Sequence, residues 1–593
     1  VRAARRYNRP QNMAGAWTPN SKRWIIAPPD ARAEGLARAA GIHPLVASLL
    51  LGRGVDGAEA AKAFLQPKLS DLHDPDLLPA SRAAAERVSR AVAEGEKIVI
   101  YGDYDVDGIT GTAILHAVLK MVNADVGFYV PHRLEEGYGL NGQAVRTIAE
   151  SGAKLMVTVD CGISAVAPVA EARSLGMDVI ITDHHTPGDE LPEANAIVHP
   201  TAGGAAYPNP DIAGAGVALK LAWQVARVLC GAHRVDEPMR EFLLEATCMA
   251  ALGTIADVVP LVGENRAIAM HGLRGLPHVK RPGIRALIES AGLTGERLDA
   301  YHVGFVLAPR INAAGRMGHA RLAVELLTSA DAQRGAEIAG YLAQQNTDRQ
   351  KVERAIAEQA AAMVIERGLD RPDRRAIVLC SEKWHSGVIG IVASRLVRRF
   401  GRPTILIAIN GDGVGQGSGR SIRGFHMRDA LAACGEHLLS FGGHAMAGGL
   451  RVEAGKVDAF AEALLARAAA EISEQQLTPA LHIDAETSIA ALTHAAVLDI
   501  EHMAPFGQGN PAPVVMLRGC ELLNEPKRMG RTGTTVGLYL GQNGRSMRAV
   551  GFGMGELADA LRGVNRVDVA AEPNLNRFNG RTSVELRLKD VRW

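Results

Sequence analysis

Tyr101-Gly102-Asp103-Tyr104-Asp105-Val106-Asp107-Gly108 sets three carboxylates at alternate positions, directly after the apolar run Ile98-Val99-Ile100-Tyr101. In an extended segment residues i, i+2 and i+4 share one face, so Asp103, Asp105 and Asp107 are expected to converge. Converging carboxylates repel one another strongly without a cation, and an oxygen-rich site of this kind suits a hard divalent ion. The first half also reads as an EF-hand calcium loop, with Gly108 as its turn glycine. The twelfth position of such a loop needs a bidentate Glu and is Ile114 here, and a strand rather than a helix precedes it. A solvated acidic turn is the plain alternative for this motif read alone.

Further acids and imidazoles follow at strand ends. Asp160 closes the run Leu155 to Val159, and Asp183-His184-His185 closes the run Val179 to Thr182. Parallel strands present their C-terminal ends on one edge, where open α/β sheets bind ligands. Asp257 stands inside the otherwise apolar Gly253-Thr254-Ile255-Ala256-Asp257-Val258-Val259-Pro260. A buried unpaired carboxylate is costly, so a metal or cation partner is implied there, with a helix cap as the alternative. Carboxylates joined by imidazole, without thiolate, favour Mn²⁺ or Mg²⁺ over structural zinc.

The elements that must position these groups are legible as an alternation. Strands at Ile98 to Tyr101, Val126 to Val130, Leu155 to Val159, Val179 to Thr182 and Ala196 to Val198 are separated by helices, the first predicted from Thr110 to Val122. Strands alternating with helices of this length indicate βαβ units and a parallel sheet. Short helices are expected from about 31 to 95, and a mostly helical portion from about 212 to 330. Asp331 to Arg367 reads as one long helix or as a hairpin of two. A second α/β portion follows, with strands at Ala376 to Cys380 and Thr404 to Ala408 around a helix at 388–399. Beyond about 476 the chain turns β-rich, which suggests a small barrel. The segmentation expected is 1–80, 81–330, 331–368, 369–472 and 476–593.

With 593 residues, three or four domains are expected. A hydrophobic content of 47% and a charged content of 22% are those of an ordinary globular protein. The net charge of +1 neither supports nor excludes nucleic acid, because a binding groove needs only clustered charge. The six cysteines are scattered without a CxxC pair, which argues against a zinc ribbon or a disulfide framework and suits a reducing cytoplasm. The first 25 or so residues are basic and polar and are expected to lack fixed structure. No run of about 18 apolar residues occurs, so no transmembrane helix is expected.

Gly-Asp-Tyr-Asp-Val-Asp-Gly at 102–108, Val-Asp-Cys-Gly at 159–162, Asp-His-His at 183–185 and Gly-Thr-Ile-Ala-Asp-Val-Val-Pro at 253–260 together resemble the four signature motifs of the DHH phosphoesterases. The resemblance implies an α/β fold: a parallel-sheet DHH lobe and a smaller α/β DHH-associated lobe, joined by a long helix, with a C-terminal OB-fold barrel. It implies that Asp103, Asp105, Asp107, Asp160, His184 and Asp257 hold two Mn²⁺ or Mg²⁺ ions, with Asp160 between them. Asp105, Asp160 and His185 then do the chemistry, with His185 facing the scissile phosphate.

Later stretches are similar to the exonuclease branch of that family. They are Pro309 to Arg316, Lys383 to Ser394, and Pro505 to Pro511 with the β-rich tail, while Gly417 to Ser421 and Phe441 to Ala445 resemble the DHH-associated domain. What this branch implies is hydrolysis of single-stranded DNA from its 5′ end to mononucleotides, in recombination and repair. Arg133, Arg310, Asn312, Arg316, Ser386, Ser418, Arg420 and His444 are the candidates for holding the strand and its terminal phosphate. A cytoplasmic monomer is expected, with a single-strand-binding protein and a helicase as partners. The alternatives within the family are a phosphodiesterase for short oligonucleotides or cyclic dinucleotides, and an inactive replication scaffold. His132 and His199 stand where many relatives are expected to carry Asn, which puts the local geometry in question.

Overall fold

The computed structural model describes residues 22–132, 136–137, 139–316, 320–578 and 580–593, the side chain of Arg316 excepted. Arg133 and the basic N-terminal stretch therefore lie outside the described residues. The chain forms two compact units. One comprises Lys62–Asp348 with Met503–Ala512; the other comprises the described residues up to Ala61 with Arg349–His502 and Pro513–Trp593.

The first unit is built on strands β1 (Ile98–Gly102), β2 (Val126–Tyr129), β3 (Leu155–Val159), β4 (Asp178–Thr182) and β5 (Ala196–Val198). All pairings are parallel and the order is β2-β1-β3-β4-β5. β1 and β3 are buried along their whole length, the reason they read as continuous apolar runs rather than alternating ones. In this order the connections leave in opposite directions between β1 and β3, and ligands bind in the crevice at such a switch point. The ladder continues one residue past the strands. Asp103 N donates to Val159 O (3.1 Å), Asp160 N to Thr182 O (2.9 Å) and Asp183 N to Val198 O (3.3 Å). Three acids of the motifs thus occupy the same edge, on neighbouring strands.

Helices α1 (Val106–Met121), α2 (Gly142–Glu150) and α3 (Val166–Ser174) make the crossovers. α1 starts four residues before the predicted Thr110, and this corrects the extended reading of the first motif. Asp105 is its N-cap, accepting from Asp107 N (2.9 Å) and Gly108 N (3.1 Å), so Asp107 sits in the first helical turn. α1 is buried on almost every side, by the sheet and by α4 (Gly214–Cys230) and α5 (Glu237–Ala256). Helices α6 (Gly263–Gly275) and α7 (Ala308–Arg316) complete the part that bears on the site. α8 (Ala332–Glu366) is a single uninterrupted helix, which excludes the hairpin alternative, and it runs from one unit into the other.

The second unit holds a mixed sheet of β6 (Ile377–Ser381), β7 (Thr404–Ile409), β8 (Val414–Arg420), β9 (Ser440–Gly443) and β10 (Ala447–Glu453), in the order β9-β10-β8-β7-β6. Helix α9 (Ser386–Phe400) connects β6 to β7. The tail contains β11 (Val515–Leu522), β12 (Thr535–Gln542), β13 (Arg545–Phe552), β14 (Arg566–Phe578) and β15 (Arg581–Arg592). β11 pairs with both β14 and β12, and β13 pairs in parallel with β15, closing a five-stranded barrel of OB type. The strand Arg23–Ile26 pairs in parallel with Ala480–Ile483. Trp24 Nε1 donates to the buried Asp590 of β15 (2.8 Å), so this early segment is part of the C-terminal unit.

Pro505 to Pro511, within the stretch expected to form the C-terminal domain, packs in the first unit. The cause is Arg266 of α6, 1% exposed, whose guanidinium donates to the carbonyls of Phe64, Met503 and Ala504 at 2.7–2.9 Å. Leu261 N donates to Gln508 O (2.7 Å), which fastens the loop to the segment that follows Asp257.

Glycine permits the close packing of α1. A Cβ at Gly111 would meet Val159 Cγ1 at 2.6 Å and Ala218 Cβ at 3.3 Å. Gly111→Ala is expected to destabilise the protein by about 1–3 kcal/mol through overpacking, read as a lower urea midpoint with an unchanged slope.

Candidate metal centre

Asp103, Asp107 and Asp160 are buried, at 3%, 1% and 2% exposure, and Asp105 and Asp257 are partly so. Potential ligand atoms fall into three groups, each with its atoms within 4.8 Å of one another: Asp103, Asp105 and Asp160; Asp107, His184 and Asp257; and Asp160, His184 and His185. The structure therefore gathers every acid and imidazole of the four motifs except Asp183. His184 Nε2 lies 3.2 Å from Asp160 Oδ1, 3.6 Å from Asp257 Oδ2 and 3.8 Å from Asp107 Oδ2.

The fold supplies each member by a different device. Asp160 ends β3 in the left-handed region (φ 62°), which Asp tolerates better than most residues. Asp107 is met by the N-terminus of α4: Gly214 N and Ala215 N donate to its two oxygens at 2.6 and 2.9 Å. That terminus carries partial positive charge. Side chains larger than glycine would block the approach, since a Cβ at Gly214 would meet Asp160 Oδ1 at 2.7 Å and one at Gly253 of α5 would press on Asp107. Asp257 is the C-cap of α5. A carboxylate at the negative end of a helix is unfavourable by itself, so the cap alternative does not explain it.

Electrostatics separates the two adjacent histidines. Burial, and then the charge of His185, lower His184 to about 4, so it is neutral. Its ring hydrogen-bonds the Ile212 backbone, while Nε2 has no hydrogen-bond partner, so the first bond is made by Nδ1. The Nε2 lone pair therefore faces carboxylate oxygens, a repulsive arrangement unless a cation lies among them; ligating histidines characteristically donate their other nitrogen to a carbonyl. Burial works against charge on His185, but the hydrogen bond from its Nδ1 to Asp183 (2.8 Å) and the Asp183 charge outweigh it and raise it to about 9. Burial raises Asp107 and Asp160 well above the carboxylate range, followed by repulsion from Asp257 and Asp105 at Asp107, and from Asp107, Asp105 and Asp103 at Asp160. Asp257 is raised to about 6 by burial and by Asp105. Oxygen donors, one neutral imidazole and no thiolate fit Mn²⁺ or Mg²⁺.

Two positioning residues escaped the sequence reading. Asp183 accepts from His184 N, His185 N and His185 Nδ1, which fixes the ring facing the cluster. Its spacing from His185 is that of an Asx turn, a signal available in the sequence. His199, 1% exposed, accepts at Nδ1 from Thr201 N and Ala202 N, so its Nε2 carries the proton and donates to His185 O (2.8 Å). The residue that put geometry in question is thus part of what holds it.

The strand-binding candidates divide between the units. In the first, Asn312 Oδ1 accepts from Val106 N (3.2 Å) at the start of α1, and Arg310 donates to Val306 O (2.6 Å) on its own helix. Arg316 ends α7. In the second, Ser418 and Arg420 share β8, and Arg420 Nη1 donates to Ser418 Oγ (3.0 Å). α9 passes close by, with a Cβ at Gly390 falling 2.8 Å from Ser418 Oγ, and Ser386 opens that helix. His444 is exposed in the turn between β9 and β10, whose Ala447 pairs with Arg420.

A β2-β1-β3-β4-β5 sheet with this cluster at its switch point defines a DHH phosphoesterase, and residues 97–251 match the DHH family, N-terminal domain. Residues 373–470 match the DHHA1 domain and 483–590 the RecJ OB domain. The chain is 40% identical over 571 residues to the single-stranded-DNA-specific exonuclease RecJ of Bacillus subtilis, covering 96% of this chain and 70% of that protein. It is 34% identical over 565 residues to RecJ of Escherichia coli, covering 93% and 96%. The crystal structure of RecJ in complex with Mn²⁺ from Thermus thermophilus superposes with a TM-score of 0.82 at 32% identity, covering 97% of this chain and 80% of that one. The chain belongs to the RecJ family.

Ligand carboxylates that hold protons must release them to bind a metal. Mn²⁺ affinity, titrated by calorimetry, is expected to fall steadily as pH drops from neutral, because Asp107 and Asp160 are raised well above the carboxylate range, and more steeply below about 6, where Asp257 regains its proton. The loss is about tenfold per pH unit for each proton displaced. Affinity that stays flat from pH 7 to pH 5 rules these carboxylates out as ligands.

Proposed function

We propose that this protein hydrolyses single-stranded DNA from the 5′ end to mononucleotides, with two divalent ions, Mn²⁺ or Mg²⁺, held by Asp103, Asp105, Asp107, Asp160, His184 and Asp257. The observation that carries this reading is the unpartnered His184 Nε2 among three carboxylates. Relatives named for single-strand-specific exonuclease activity, and RecJ structures titled as complexes with Mn²⁺ and with Mg²⁺, support it. Ions held by these residues would supply Lewis acidity and lower the pKa of a bound water.

The chain's own groups do the rest. Asp160 belongs to the Asp103–Asp105 group and approaches His184 of the other, which suits a bridging ligand. His185, cationic and aimed by Asp183, offers a charge-assisted hydrogen bond to a phosphate oxygen. Ser418 and Arg420, with Ser386, His444, Arg310, Arg316 and Arg133, hold the strand and its 5′ phosphate. Asn312 acts at one remove, through the start of α1. We assign 81–330 to the catalytic lobe, 331–368 to the connecting helix, 369–472 to the DHH-associated lobe and 476–593 to the OB domain. 1–80 precedes the catalytic lobe. The OB barrel suits sequence-tolerant strand binding. No described helix is long and apolar enough to cross a membrane. A cytoplasmic monomer working with a single-strand-binding protein and a helicase completes the proposal.

Asp160→Asn is expected to abolish Mn²⁺-dependent release of mononucleotides from a labelled single strand while leaving strand binding largely intact. A variant with a near-wild-type rate removes the bridging assignment. Arg420→Ala is expected to reduce the preference for 5′-phosphorylated over 5′-hydroxyl strands by about tenfold, the worth of one charge-assisted hydrogen bond. Equal loss on both substrates would identify a structural arginine.

A further inference from the structure

Val258 follows Asp257 directly and occupies the position after the C-cap of α5 with φ 65°. Helices commonly end with this left-handed residue, and it is usually glycine, because a side chain is strained there and a β-branched one most of all. Glycine would end α5 equally well. Packing does not account for the valine either, since Val258 is 63% exposed, more than any other large hydrophobic residue described. A strained, solvent-facing valine is therefore fixed next to a candidate metal ligand. Consecutive Cα atoms lie about 3.8 Å apart, so Val258 stands within one nucleotide's length of the cluster. Phe305, in the π-helical segment Val303–Leu307, is also exposed, at 58%, and a Cβ at its neighbour Gly304 would lie 4.0 Å from Ile255 Cγ2 in the last turn of α5.

We infer that Val258 is a substrate contact: its isopropyl group rests against the nucleobase beside the scissile phosphate. The inference builds on the exonuclease reading above. An apolar contact to a base carries no hydrogen-bond code, so it holds any of the four bases alike. It also rewards a base that is unstacked, and so free to meet a side chain, which is the condition of a single strand. The strain in the backbone at Val258 is then the cost of presenting that contact.

The test compares a 5′-phosphorylated strand carrying all its bases with the same strand bearing abasic residues at its first positions, with Mn²⁺ present. Val258→Gly removes the strain, so its melting temperature is expected to equal or exceed that of the wild type. Its KM for the base-bearing strand is expected to rise about tenfold, the worth of one buried aliphatic side chain. The difference between the two strands shrinks in parallel. Val258→Thr, which keeps the branched shape and the backbone conformation, should also raise KM. Wild-type KM for both variants on the base-bearing strand, or an equal rise on both strands, overturns the inference. If the wild-type protein releases no mononucleotides from the base-bearing strand, the exonuclease reading fails and this inference fails with it.

Discussion

Carboxylates do not gather willingly, and the first unit is arranged around making five of them do so. Asp103, Asp107 and Asp160 are buried where water cannot screen them, with Asp105 and Asp257 at the rim. Their repulsion in a low-dielectric interior is worth several kcal/mol per close pair, an appreciable fraction of a domain's stability. The surrounding features reduce that cost without removing it. The α4 N-terminus gives two amides to Asp107, the N-cap geometry occupies Asp105, and glycines at 108, 214 and 253 let the backbone approach closely. What is left over is the free energy available to a divalent ion.

The same crowding gives neighbouring histidines opposite characters. His184 is turned into the carboxylates with its proton on the far nitrogen, and burial keeps it neutral. His185 faces Asp183, a carboxylate already satisfied by backbone amides, and becomes a stable cation. A neutral imidazole and a cationic one are thus obtained from one residue type at adjacent positions. The distinction rests on burial and on the hydrogen bonds that the two rings donate to Ile212 and Asp183, since the two side chains are chemically identical.

Much of this was legible in the sequence because strand ends are. β1, β3 and β4 are short apolar runs stopped by acid, and the parallel alternation puts those stops on one edge. The start of α1 was not legible. Val106-Asp107-Gly108 has no helical periodicity of its own, and it is the Asp105 cap together with Asn312, 206 positions away, that closes the first turn. Asp183 was visible as part of a motif but silent about its task, because its partners are mostly backbone amides. The packing of Pro505 to Pro511 was not legible for a related reason. Its register is dictated by a buried arginine from α6, and no local pattern announces a tertiary hydrogen bond.

That loop bears on how the protein comes into being. Domains generally fold in order as the chain leaves the ribosome, the earlier before the later. Here the unit bearing the acidic cluster is finished by residues Met503–Ala512, and Leu261, four positions after Asp257, is tied to Gln508. The barrel unit in turn waits from Arg23–Ile26 until Ala480–Ile483 arrives. Each unit is thus left open until the other has been largely synthesised. The acids and imidazoles of the cluster are all synthesised some 250 residues before the segment that clasps the chain beside Asp257, so the surroundings of the cluster are completed late in synthesis.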